Sequence, residues 1–350
     1  MAWTKEELLD DLRKVGTLYD RETDPKKKEE LNNFLAHMYY LVSDFYYKDP
    51  IEVKKEELFF KVLYSLTKYS IYIPIINDFV ITASENDVEQ VHNKKMDFPG
   101  FYTKNQVFGL SKQFYESIGG KTYSSFLEFD KGRDHFVDFC KMNPNDSATY
   151  CVPPLNKYYI NLGNDGDARD VLEAYIHELA HVITSMQHHD RYYSTDNFVE
   201  IESFFYEILA NDFLYRETGD EYFKEQERYK LSRFYKHGTI LDICGFALGN
   251  VMDNIDKIKK PNKKFIKICK KEGYEKPEMA DFDNTIRYVF SYMCAIELVE
   301  IYKQDKETAL HLLDVIVSKD KEKSEYERIV TTIDPNEHAA GYMKSLKKRN

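Results

Sequence analysis

The sequence predicts a mainly α fold, packed helices with a small β-sheet beside one central helix. Three observations predict it. Apolar residues recur at helical spacing from residue 4 to about 70, and again from about 165 nearly to the chain end. Strand-like stretches are confined to residues 122 to 162. The most regular amphipathic segment carries the pentapeptide His177-Glu178-Leu179-Ala180-His181.

Taken in order, residues 4 to about 70 read as three helices, with Leu31, Phe34, Leu35, Met38, Leu41 and Phe45 at helical spacing in the second. Ile71 to Ile81 is apolar and β-branched, interrupted by Pro74, and reads as a short strand or a buried connector. Met96-Asp97-Phe98-Pro99-Gly100 reads as a turn. It divides the chain into an N-terminal helical region, 1–100, and a larger domain, 101–350. Phe101 to Ile118 returns to helix and ends at Gly119-Gly120. Strands are expected at Phe126 to Phe129, His135 to Phe139 and Tyr158 to Leu162. A helix from Asp167 to Gln187 follows, with Asp165 and Asp167 offering N-cap oxygens. The remainder is helical, with breaks near Gly238, Pro261, Gly273 to Pro277, and Pro335.

Composition narrows the function classes. A formal net charge of −11 disfavours nucleic-acid binding, which needs basic surface. No segment approaches about 18 consecutive apolar residues, so no membrane span is expected. The N-terminus lacks an apolar signal core. Five scattered cysteines form no CxxC pair, which points to reduced thiols and a cytoplasmic setting.

The pentapeptide carries the chemistry. Histidines four apart on a helix point the same way, one turn apart, so both imidazoles can hold one zinc ion. Glu178, between them, can reach a water on that ion and act as general base. Leu172, Tyr175, Ile176, Leu179, Val182, Ile183 and Met186 form the apolar stripe. His177 and His181 lie almost opposite it, facing solvent or a cleft.

A catalytic zinc takes three protein ligands and keeps one position for water. Downstream, Glu200, Ser203, Glu207 and Asn211 share one narrow stripe on an otherwise apolar helix. Carboxylates are rarely buried without a partner, and a cation supplies one. Glu200 is the expected third ligand and Glu207 an outer hydrogen-bond partner of a histidine. Glu202 points the other way on the helical wheel and should not share the metal with Glu200. An ordinary buried Glu207–Asn211 hydrogen-bond pair is the bland alternative.

These stretches resemble the thimet oligopeptidase and oligoendopeptidase F family of zinc metallopeptidases. Ala148-Thr149-Tyr150-Cys151 with Lys157 to Leu162 resembles the strand before the family's active-site helix. Arg169 to His181 resembles that helix, and Val199-Glu200-Ile201-Glu202-Ser203 with Glu207 resembles the second zinc helix. The resemblance implies a zincin-type catalytic domain over 101–350, one Zn2+ per chain held by His177, His181 and Glu200, and Glu178 as base. It also implies short peptides as substrates. Arg287 to Met293 resembles the family's tyrosine motif, so Tyr288 and Tyr292 are expected to donate to the developing oxyanion. This chain departs from the family at Ala180, Thr184 and Phe290, lacks a histidine shortly upstream of the tyrosines, and is shorter before the zinc motif.

The expected activity is therefore zinc-dependent endopeptidase cleavage of short peptides, with no nucleic-acid or membrane partner. Tyr158 to Leu162 is expected to pair with the extended substrate. The alternative is a catalytically inert zinc-binding protein of the same fold that holds a peptide or partner without cutting it.

Overall fold

The structure, a computed structural model, describes residues 5–44, 50–86, 88, 102–152, 157–188, 198–275, 282–318 and 323–347. The chain forms two compact units. The first comprises Met1–Glu85 and Phe234–Phe290, the second Asn86–Arg233 and Ser291–Asn350. This differs from a division at residue 100, because a later segment returns to the N-terminal helices. The turn expected at Met96 to Gly100 lies outside the described residues.

The first unit is built from α1 (Lys5–Arg21), α2 (Pro25–Asp44), α3 (Pro50–Lys68) and α4 (Ile73–Glu85). To these it adds the later part of α10 (Glu221–Met252), α11 (Pro261–Lys271) and the start of α12 (Phe282–Gln304). Helix α2 packs on α1 and α3, and α11 packs on α3. The rings of Phe59 and Phe265 meet edge to face at 5.8 Å across that last contact. The buried face of α2 is Leu35, Ala36, Met38 and Val42, while Phe34 is 50% exposed, so the apolar period of that helix is rotated from the expected one.

Ile71 to Ile81 is neither strand nor connector but lies largely in α4. Pro74 sits in its first turn, where a missing N–H costs nothing. Gly238 does not break α10, which runs through it. A Cβ there would lie 2.6 Å from Val80 Cγ2 of α4. Glycine marks a close helix crossing at this position and not a stop.

The second unit holds α5 (Lys104–Ile118), α6 (Gly120–Asp130), α7 (Arg133–Phe136), β1 (Val137–Cys140), β2 (Ala148–Val152), β3 (Lys157–Gly163), α8 (Ala168–Gln187) and α9 (Ile201–Thr218). The remainder of α10 and α12 follows, with α13 (Lys306–Val317), α14 (Glu325–Thr332) and α15 (Ala339–Lys347). Two expected strands are corrected. Phe126 to Phe129 is helical, because Thr122, Phe126 and Phe129 bury one face at helical spacing. His135 and Phe136 belong to α7, and the strand begins only at Val137.

The sheet order is β1-β3-β2. β1 runs parallel to β3, pairing Val137 with Ile160, and β2 runs antiparallel, pairing Thr149 with Ile160. Tyr158 to Leu162 is thus the central strand, bonded on both sides. The edge strands, where an extended chain could be added, are β2 and β1. Helix α8 packs against β2 and β3, against α5 and α6, and against α9. No described helix is long and apolar enough to cross a membrane.

Candidate metal centre

Helix α8 is positioned by its cap and its apolar face. Asp167 at the N-cap accepts from the Arg169 N–H at 2.9 Å. Leu172, Tyr175, Ile176, Leu179, Val182 and Ile183 are all within 1% of full burial. The opposite face is covered too. Asp170, Glu173, His181, Thr184 and Ser185 are buried, and α9 packs against the helix.

His177 and His181 meet edge to face, their ring centroids 5.1 Å apart. Both Nε2 atoms face Glu200 Oε2, at 3.1 Å from His177 and 3.5 Å from His181. Glu200 is the N-cap residue of α9, and the Ser203 hydroxyl lies 2.9 Å from its Oε2, placed to donate. One ligand atom from each of the three residues falls within 4.8 Å of the other two.

The far side of each ring has its own carboxylate. His177 Nδ1 donates to Glu207 Oε2 at 3.0 Å, and His181 Nδ1 lies 3.5 Å from Glu202 Oε1. An ionised carboxylate only accepts, so the Glu207 contact places a proton on His177 Nδ1 and leaves Nε2 as the ring atom that faces Glu200. Glu202 does point away from Glu200, but towards His181. Glu207 and Asn211 do not pair with each other. Asn211 Nδ2 donates to Glu173 Oε1 at 2.9 Å.

The electrostatics call for a positive charge at this point. Burial lowers the His181 pKa, but the carboxylates of Glu200 and then Glu202 outweigh burial and hold it well above the usual value. Burial raises the Glu200 pKa, and His181 and His177 overcome that and hold it well below the carboxylate range. Two inward imidazole nitrogens, one carboxylate oxygen and an outer carboxylate on each ring form a donor set that fits zinc.

Glu178 is 6% exposed. Thr149 of β2 points its hydroxyl at Glu178, 2.7 Å from Oε2 and 3.0 Å from the main-chain oxygen, sharing one proton between them. The sheet therefore holds the carboxyl group from the strand side. Tyr292 lies in the core, fully buried, its ring 5.7 Å edge-on to Phe204. Its hydroxyl is pushed far above the usual range by burial, against a hydrogen bond from Tyr342. That surrounding is one of packing and gives no open face to a substrate. Tyr288 belongs to the first unit and is 36% exposed. Sequence reasoning missed Thr149, Glu173 and Lys230, which reach this polar cluster from other elements.

Two cavities in the second unit, of about 310 and 290 Å³, lie elsewhere and include none of His177, Glu178, His181 or Glu200. Among the described residues one other group could gather a cation, Glu297, Glu337 and His338.

No protein-family model matches the chain, and no curated protein matches it by sequence. Three solved structures do match by shape. A protein assigned as oligoendopeptidase F from Bacillus anthracis str. Ames aligns at 12% identity and a TM-score of 0.49, over 93% of this chain and 63% of its own. A second structure assigned as oligoendopeptidase F aligns at 13% identity and 0.50, over 93% and 65%. PZ peptidase A, solved with an inhibitor, aligns at 12% and 0.51, over 96% and 71%. This chain thus spans less than two thirds of the length of the two oligoendopeptidase F structures. Almost all of it is accounted for by that architecture: the chain has the fold of the oligoendopeptidase F and PZ peptidase structures.

Proposed function

We propose that this chain is a zinc-dependent metalloendopeptidase that cleaves short peptides. The observation that carries the proposal is the convergence of His177 Nε2, His181 Nε2 and a Glu200 oxygen, with a separate carboxylate behind each ring. His177, His181 and Glu200 would hold the ion. Zinc bound there supplies Lewis acidity, polarising the scissile carbonyl and acidifying the attacking water to a pKa of about 7.

The remaining work falls to the chain's own side chains. Glu178 takes the water proton on a carboxylate oxygen and later passes it to the leaving amine. The Thr149 hydroxyl keeps one of its oxygens engaged, so the other is free for that transfer. The edge of β2 beside Glu178 can add an extended peptide by main-chain pairing, and it takes the place once expected for Tyr158 to Leu162. Fold likeness to oligopeptidases supports short peptides as the substrate class.

The buried setting of Tyr292 favours a second reading, a zinc-binding protein of this fold that holds peptides without cutting them. Cleavage of a mixed quenched-peptide set, abolished by chelator and restored by zinc, separates the two. The metal assignment is tested on variants. Glu200→Ala is expected to abolish stoichiometric zinc, measured by elemental analysis after dialysis. Glu202→Ala is expected to keep zinc at roughly tenfold lower affinity, the usual effect of losing an outer partner. The reverse pattern would make Glu202 the ligand.

A further inference from the structure

Helix α10 lays a polar stripe along α8, with Tyr222, Gln226 and Lys230 each four residues apart. Tyr222 donates to Asp170. Gln226 Nε2 donates to Glu173 Oε2 at 3.0 Å. Lys230 Nζ lies 2.6 Å from Glu173 Oε1 and in contact with Glu207 Oε1. Glu207 belongs to α9, and its other oxygen accepts from His177 Nδ1 at 3.0 Å. One ammonium group therefore joins three helices one carboxylate away from a zinc-facing ring. Glu173 and Glu207 are 7% and 4% exposed.

The geometry points to Lys230 as a positioning residue of the metal centre. It fixes the Glu207 carboxylate so that this group in turn fixes the orientation and tautomer of His177. The inference rests on the reading of His177, His181 and Glu200 as the zinc site. The two oxygens of Glu207 divide their work, one on the cation and one on the ring. Two buried carboxylates brought together without a cation repel, and Glu207 then has no reason to hold its place. A purely structural ion pair would also tie the helices, but it would leave zinc affinity alone. Loss of positive charge by itself would strengthen zinc binding, so the direction of the change separates positioning from field.

The experiment measures Zn2+ affinity by competition with a chromophoric chelator, on the full chain. Wild type is compared with Lys230→Arg, Lys230→Met and the charge-balanced pair Glu173→Gln with Lys230→Met. Circular dichroism and thermal melting report folding for each. We expect Lys230→Met to bind zinc about 10-fold to 100-fold more weakly, the range for an outer partner of a ligand. Lys230→Arg should recover most of the affinity. The paired variant should recover stability without recovering zinc. With Co2+ in place of zinc, the visible bands should shift in Lys230→Met and return in Lys230→Arg. Unchanged or tighter zinc binding in a folded variant lacking the ammonium, or loss of the fold in all such variants, overturns the proposal in favour of a structural ion pair. Failure of wild type itself to bind zinc overturns the site reading, and this inference with it.

Discussion

At the scale of single residues the candidate site divides by how far each contact reaches along the chain. His177, Glu178 and His181 are legible because helical spacing alone sets their directions. Glu200 and Glu207 are legible because carboxylates on so apolar a helix need a partner. Thr149 is 29 residues from Glu178 and on another kind of element, and no local pattern announces it. Its hydroxyl nonetheless sets where the Glu178 carboxylate sits. Glu178→Gln is expected to keep zinc and lose at least about two decades in kcat/KM, the usual contribution of a positioned general base. Thr149→Val should lose about tenfold with zinc retained, since a hydrogen bond to a charged group contributes about 1.5–3 kcal/mol and only part of that reaches the transition state. Thr149→Ser should restore most of the rate. Full activity in Thr149→Val would mean that Glu178 is held well enough by its own helix.

At the scale of elements, the expectations that failed did so where a short apolar run suits either a helix or a strand. Phe126-Leu127-Glu128-Phe129 is a short aromatic and apolar run that suits a strand, yet Thr122 one turn earlier completes a helical face. Gly238 looked like a stop because propensity counts glycine against a helix, while the reason for it lies across the crossing at Val80. Gly238→Ala gains about 1 kcal/mol of helix propensity but sets a methyl group 2.6 Å from Val80 Cγ2. Overpacking of that kind costs about 1–3 kcal/mol, so a net loss of stability is expected in denaturant melts. Adding Val80→Ala should relieve it, and a stabilised single variant would show that the crossing has room. A second tie between elements is titratable. Glu297 of α12 accepts from the His338 N–H at 3.0 Å and from His338 Nδ1 at 2.7 Å. The Glu297 hydrogen bond raises the His338 pKa above 6.5, against burial. A raised histidine pKa contributes stability below about pH 6.5, and that contribution is lost as pH climbs through the raised value. An NMR titration is expected to place His338 above 6.5 in wild type and nearer 6.5 in Glu297→Gln. No difference between the two would assign the shift to Glu337 and Glu300 instead.

At the scale of the molecule, the two-unit division is the feature least visible in sequence. The chain leaves one unit and returns to it within α10 and α12, and each of these helices is continuous across the division. No glycine, proline or polar linker marks residues 233–234 or 290–291, so a boundary sought in turn signals is placed elsewhere. His177, His181 and Glu200, the carboxylates behind the two rings and Lys230 all fall in the second unit, whereas α1 to α4 fall in the first. A ligand stabilises what it binds by RT ln(1 + [L]/Kd), about 2.7 kcal/mol at a hundredfold excess over Kd. Zinc should therefore protect the second unit directly. Hydrogen exchange followed by mass spectrometry, with zinc and then with chelator, is expected to show faster exchange in α8 and α9 after metal removal. Amides of α1 to α3 should keep their rates, because local and sub-global opening can occur unit by unit. Equal loss of protection in α1 to α3 would mean that both units open as one cooperative body. Unchanged rates in α8 and α9 would mean that the cluster at His177, His181 and Glu200 holds no ion of consequence to the fold.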